Sequence, residues 1–101
     1  MAILERLVQR IEAGKWEELE ELDKQWTEIE NRCGYPPKTR YTYISGPHAA
    51  GTLVVERLWE SFAAGEEAWN KLMADPDAAA LQAKTQQIVK KTHYEFLQKL
   101  G

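Results

Sequence analysis

Apolar positions along the chain recur at two spacings, and each change of spacing marks the border of an element. Between Gly51 and Ser61 the run Thr-Leu-Val-Val-Glu-Arg-Leu-Trp-Glu sets Leu53, Val54 and Val55 in an unbroken row, followed by Leu58 and Trp59. β-Branched and aromatic residues bounded by turn signals predict a strand of about nine residues. Its odd positions are Leu53, Val55, Arg57 and Trp59, and its even positions are Val54, Glu56, Leu58 and Glu60. Neither set is cleanly polar, so the strand is expected to be covered on both faces. The rest of the chain is arranged around it.

Ile3, Leu4, Leu7, Val8 and Ile11, within Ala2 to Ile11, fit either a helical stripe or the two faces of a strand. The break at Ala13-Gly14-Lys15 comes after about ten residues, short for a core helix, which favours a strand. From Trp16 the spacing becomes helical: Trp16, Leu19, Leu22, Trp26, Ile29 and Cys33 recur at steps of three and four. Glu17, Glu18, Glu20, Glu21, Lys24 and Gln25 fill the other side, which predicts an amphipathic helix with a solvated acidic face. Gly34 and the Pro36-Pro37 pair stop it. Lys38 to Ser45 alternates as a short polar strand of the kind found at sheet edges, and Gly46 to Gly51 forms the loop to the next strand, with adjacent antiparallel pairing expected.

Ser61 is placed to cap a helix carrying Phe62, Gly65, Trp69, Leu72 and Met73 on one stripe. Asp75-Pro76-Asp77 predicts a second helix start, with Asp75 as cap and Pro76 in the first helical position. That helix runs through Ala78, Leu81, Thr85, Ile88 and Val89, with Lys90 and Lys91 at its negative end. Thr92 to Leu100 alternates as a final strand. The order βαββαβ, with the second helix in two pieces, predicts an α+β, ferredoxin-like fold with a four-stranded antiparallel sheet and both helices on one face. A second copy is then the economical cover for the other face.

At 101 residues, the chain has the length of one domain covering 1–101. A net charge of −3 and a pI near 5.4 leave no basic footprint for nucleic acid. Four Trp and four Tyr in so short a chain call for extensive flat buried surface. The lone Cys33 closes no intrachain disulfide and offers no cysteine-based zinc site. No apolar run approaches the ~20 residues that span a bilayer. The N-terminus lacks the apolar core of a signal peptide, so a cytoplasmic protein is expected.

The segment Thr52-Leu-Val-Val-Glu-Arg-Leu-Trp-Glu-Ser61, followed by Trp69-Asn-Lys-Leu-Met-Ala-Asp-Pro76, resembles the dimeric α+β barrel superfamily. That group includes the antibiotic-biosynthesis-monooxygenase-like and NIPSNAP-like proteins. The resemblance covers essentially the whole chain and implies a homodimer whose two sheets pack into a barrel, with a cavity in each protomer between sheet and helices. It implies functions ranging from cofactor-independent oxygenation and heme degradation to no assigned activity. The heme-degrading branch carries Asn on the first strand and His on the second helix. This chain has neither, its second helix bearing Trp69 instead, so no cofactor is expected.

Candidate chemistry is sparse. His93, on the last strand, is a candidate base, and His48 in the Gly-Pro loop is expected to be solvated. Two distant histidines without further ligands predict no metal site. Glu56 and Arg57 are charges inside a strand covered on both sides, and buried charges are paired or functional. As neighbours on a strand they point to opposite faces, one toward the helices and one toward the barrel, with Arg6, Glu5 or Glu95 as partners across the sheet. Tyr41, Tyr43, Arg57, Trp59 and Trp69 are the candidate lining of a pocket for a flat, apolar ligand. Two functions fit: a small-ligand enzyme of the monooxygenase-like type, in which aromatic walls bind a flat substrate and His93 or Arg57 stabilises an anion formed from it, and a non-catalytic dimeric binding or accessory module.

Overall fold

Residues 2–48 and 50–101 are described by the structure, a computed structural model. Strand β1 (Ile3–Ile11) leads through a turn to helix α1 (Trp16–Arg32), then strands β2 (Thr39–Thr42) and β3 (Thr52–Trp59). Helices α2 (Phe62–Ala74) and α3 (Ala78–Gln86) follow, and strand β4 (Val89–Gln98) closes the sheet. The four strands pair antiparallel in the order β2-β3-β1-β4. This is the βαββαβ arrangement expected from the sequence, and β2 lies beside β3 as the short loop requires.

Helix α1 buries Leu19, Leu22 and Ile29 from its predicted stripe, with Cys33 just beyond, and they meet Ile11, Leu53 and Val55 of the sheet. Gly34 closes the helix with φ at +87°, a conformation cheap only for glycine. The Ser61 hydroxyl accepts from Ala64 N at 3.1 Å, the expected cap of α2. Arg32 at the end of α1 forks onto Asp75, with both contacts at 2.7 Å, and reaches Asp77 at 2.7 Å. This ties α1 to the corner between α2 and α3.

Four expectations change. In α2 the buried residues are Ala68 and Leu72, while Phe62, Trp69 and Met73 are exposed. The reason is steric: Trp59 fills the space under the helix, and only small residues fit over it. A methyl at Gly65 would stand 3.6 Å from the indole, and Ala64 and Ala68 pack on the same ring. Second, α3 ends at Gln86, so Ile88 leaves the helix as a buried plug and Val89 opens β4 by pairing with Ile11. Lys90 and Lys91 therefore sit on a strand and not at a helix end. Third, Asp77, not Asp75, precedes α3. Asp75 Oδ1 accepts from Asp77 N at 2.9 Å and bends the chain one step earlier, with Pro76 in that bend. Fourth, β2 stops at Thr42, because the chain beyond it turns out through Gly46 and Pro47 before β3 begins. No helix among the described residues is long and apolar enough to cross a membrane.

Candidate functional site

Strand register sorts the side chains into rows across the sheet. On the helix side one row reads Arg57, Glu5, Phe96 and the next reads Val55, Leu7, Tyr94. A guanidinium on the helix side of a sheet must find carboxylates there, because removing a charge from water costs several kcal/mol. Arg57, 6% exposed, reaches Glu30 of α1 at 2.5 Å and Glu5 at 3.8 Å, and its guanidinium lies 5.0 Å over the Tyr35 ring. Lys38 adds contacts to Asp23 at 2.7 Å and Glu30 at 3.0 Å. Arg40 forks onto Glu20 at 2.8 and 2.9 Å, which holds the Glu20 carboxyl below the ordinary carboxylate range. Arg40 also reaches Asp23 at 3.7 Å, so Glu5, Asp23, Glu30 and Glu20 face three cations, Arg57, Lys38 and Arg40, and the cluster carries one excess negative charge. Among the described residues the buried Arg57 Nε has no acceptor.

Aromatic rings frame this cluster. Tyr35 meets Trp59 edge to face at 5.1 Å, Tyr94 stacks parallel to Phe96 at 6.3 Å, and Phe62 tilts against Phe96 at 5.8 Å. Phe62, Tyr94 and Phe96 are all more than half exposed, so α2 leaves the helix side of β4 uncovered. The result is an aromatic shelf beside a polar row. Burial, and after it the Glu5 charge, pushes the phenols of Tyr35 and Tyr94 above their ordinary range.

The opposite face carries no helix. Its rows read Leu58, Leu4, Leu97, then Thr39, Glu56, Arg6, Glu95, then Tyr41, Val54, Val8, His93. Arg6 bridges Glu56 at 2.7 Å and Glu95 at 3.1 Å, and His93 Nε2 contacts Glu95 at 3.1 Å. His93, with Arg6 behind it, holds the Glu95 carboxyl below its ordinary range. The loop after β2 folds back over one end, with His48 ring centroids 5.1 Å from Tyr43 and 5.8 Å from His93. That accounts for the burial of Val8 and Val54, while Leu58, Leu97 and Tyr41 stay exposed.

The candidate residues thus fall into three places. Arg57 and Trp59 lie together on the helix side, Tyr41, Tyr43 and His93 lie on the opposite face, and Trp69 stands on the outer surface of α2, 47% exposed. Glu56 and Arg57 do point to opposite faces; Arg6 pairs with Glu56 and Glu5 lies near Arg57, with Glu30 its closest partner, whereas Glu95 pairs with Arg6 and His93 and with neither of the two. Glu5, Tyr35, Tyr94 and Phe96 are not among the sequence-predicted site residues. Glu5 did leave a signal, an acid between Ile3 and Leu7 on an otherwise apolar face. Two clefts lie elsewhere: about 300 Å³ beside Cys33, Trp59 and Lys71, and about 500 Å³ between α1 and α3 at Glu18, Glu21 and Lys84. Among the described residues no three His, Cys, Asp or Glu converge to hold a metal ion.

Sheet order and helices on one face give an α+β, ferredoxin-like fold, and that fold is similar to those of NIPSNAP family proteins and of a cofactor-independent oxygenase. The fold matches a NIPSNAP family protein from Agrobacterium tumefaciens with a TM-score of 0.87 at 18% identity, covering 99% of this chain and 94% of that one. A NIPSNAP domain protein from Burkholderia xenovorans matches at 0.84 and 20% identity, covering 97% and 94%. SnoaB, a cofactor-independent oxygenase from Streptomyces nogalater, matches at 0.69 and 11% identity, covering 97% and 92%. No protein-family model and no curated protein matches the sequence.

Proposed function

We propose that this protein works as a homodimer that binds a small, flat, largely apolar molecule on the aromatic shelf between sheet and helices. The observation that carries the reading is the exposure of Phe62, Tyr94 and Phe96 around the buried Arg57–Glu5 row. Three rings left in water beside a polar row are unusual for a surface with no ligand, and small-molecule sites combine apolar walls with a few fixed polar groups. The dimer reading rests on the opposite face, where Leu4, Leu58, Leu97 and Tyr41 form an apolar surface interrupted by one charged row. Sedimentation equilibrium checks it: dimers at micromolar concentration are expected for the native chain and monomers for Leu58→Lys. A native chain that stays monomeric refutes the dimer.

Turnover is the second reading, and the likeness in fold to a cofactor-independent oxygenase favours it. An oxygen electrode with electron-rich phenols as substrates separates the two. Uptake above the uncatalysed rate supports catalysis, and its absence with a bound phenol supports a binding module.

A further inference from the structure

We infer that the ligand presents a hydrogen-bond donor, a phenolic O–H or a protonated amine, and that Glu5 is the residue that accepts it. This rests on the ligand-binding reading above and names the chemistry of that site. Glu5 lies on the central strand between Arg57 and Phe96, where the buried cluster meets the aromatic shelf. Its side chain is 16% exposed, open enough to be reached and too enclosed to be solvated like a surface acid. Its contacts among the described residues are long: 3.5 Å from the Trp59 indole N–H and 3.8 Å from the Arg57 guanidinium. A carboxylate has about four acceptor positions, and ordinary charge-assisted bonds run ~2.7–2.9 Å, so protein donors leave part of the Glu5 accepting capacity open to solvent or a ligand. Arg57 cannot draw closer because Glu30 holds it at 2.5 Å.

The charge balance selects the sign of the ligand. With Glu5, Asp23, Glu30 and Glu20 against Arg57, Lys38 and Arg40, an anion beside Glu5 meets an excess negative charge, whereas a donor relieves it. The rings of Phe96, Tyr94 and Phe62 supply faces on which a flat molecule stacks and a cation is also welcome.

The test compares three naphthalenes of one shape: 2-naphthol, its methyl ether 2-methoxynaphthalene, and 2-naphthoate. Dissociation constants come from ¹⁵N NMR titration, with the Trp59 indole resonance as reporter. The naphthol is expected to bind about tenfold tighter than the ether, the size of a hydrogen bond to a charged group, with the naphthoate weakest. In Glu5→Ala the naphthol is expected to fall to the affinity of the ether while the ether itself is unchanged, which also shows that the variant is folded. Glu5→Gln, which keeps an acceptor without the charge, is expected to fall between them. Equal affinity for naphthol and ether in the native protein, or an undiminished preference in Glu5→Ala, overturns the role of Glu5 and leaves the shelf as a ligand site. Failure of all three probes to bind overturns the ligand-binding reading itself.

Discussion

Replacing Trp59 with alanine tests the packing on which both faces of the fold depend. The side chain is 7% exposed, with its ring against Gly65 and Ala68 of α2 on one side and the edge of Tyr35 on the other. Burying about 200 Å² of indole at ~25 cal/mol per Å² gives an upper bound near ~5 kcal/mol, because the unfolded chain already shields part of that surface. Truncation of large core aromatics costs about 3–5 kcal/mol, and loss of the Tyr35 ring contact falls within that range, so ~4 kcal/mol is expected. Total stabilities run about 5–15 kcal/mol, so the variant remains folded but weakened. Urea denaturation followed by far-UV circular dichroism, at fixed protein concentration, measures it as a midpoint lowered by roughly 2–3 M. Trp69→Ala, on the outer face of α2, is the control and is expected to cost less than about 1 kcal/mol. A loss below ~1 kcal/mol for Trp59→Ala refutes the reasoning, since a ring so easily removed cannot be what forces small residues onto α2.

Gly65→Ala is expected to stabilise by ~0.5–1 kcal/mol through helix propensity, because the added methyl meets Trp59 at ordinary contact distance; a lowered melting temperature refutes this. Arg57→Ala is expected to cost about 3 kcal/mol by leaving Glu5 and Glu30 less compensated, and chemical denaturation of Arg57→Ala beside Arg57→Met with Glu30→Met, where the loss is expected to be much smaller, checks it. Burial raises the folded Tyr35 phenol above its ordinary value of 10.0, so its contribution is fully present below that value and is lost as pH rises from there through the folded value. Melting temperatures between pH 8 and 12 are expected to fall less steeply for Tyr35→Phe than for the native chain, and parallel curves refute the assignment.

The elements most legible in the sequence were those with strong periods and large residues on the buried side. α1 shows this directly, because its apolar stripe and its core contacts coincide. β3 was legible for another reason: charges within an apolar run had to be paired, and register supplies Arg6 opposite Glu56 and Glu5 opposite Arg57. In α2 bulk is no sign of burial: Ala68 and Leu72 are buried, and Phe62, Trp69 and Met73 are exposed. Where a tryptophan already fills the space, the contact belongs to Gly65 and Ala68, and the large residues turn outward. Ile88 and Val89 fit a helical spacing equally well as a plug and a strand start, and only pairing with β1 decides between them. The site was least legible. Glu30 reaches Arg57 only through the docking of α1 on the sheet, and Tyr94 and Phe96 matter because α2 stops short of β4, a fact of three-dimensional coverage and not of spacing.

The strand order β2-β3-β1-β4 has a consequence for how the molecule is made. β1, made before the other three strands, takes one of the two inner places in the sheet, and one of its neighbours comes from far along the chain: Arg6 and Glu95 are 89 positions apart. At ribosomal rates of about 5–20 residues per second, the half-built sheet waits seconds for β4 with one side of β1 unzipped. During that interval Leu4, Leu7 and Val8 border a row of unmatched amides and carbonyls, an invitation to chaperones and to wrong pairing alike. Stalled nascent chains cut off before Val89 should accordingly be protease-sensitive along β1, and those extended past Gln98 should not.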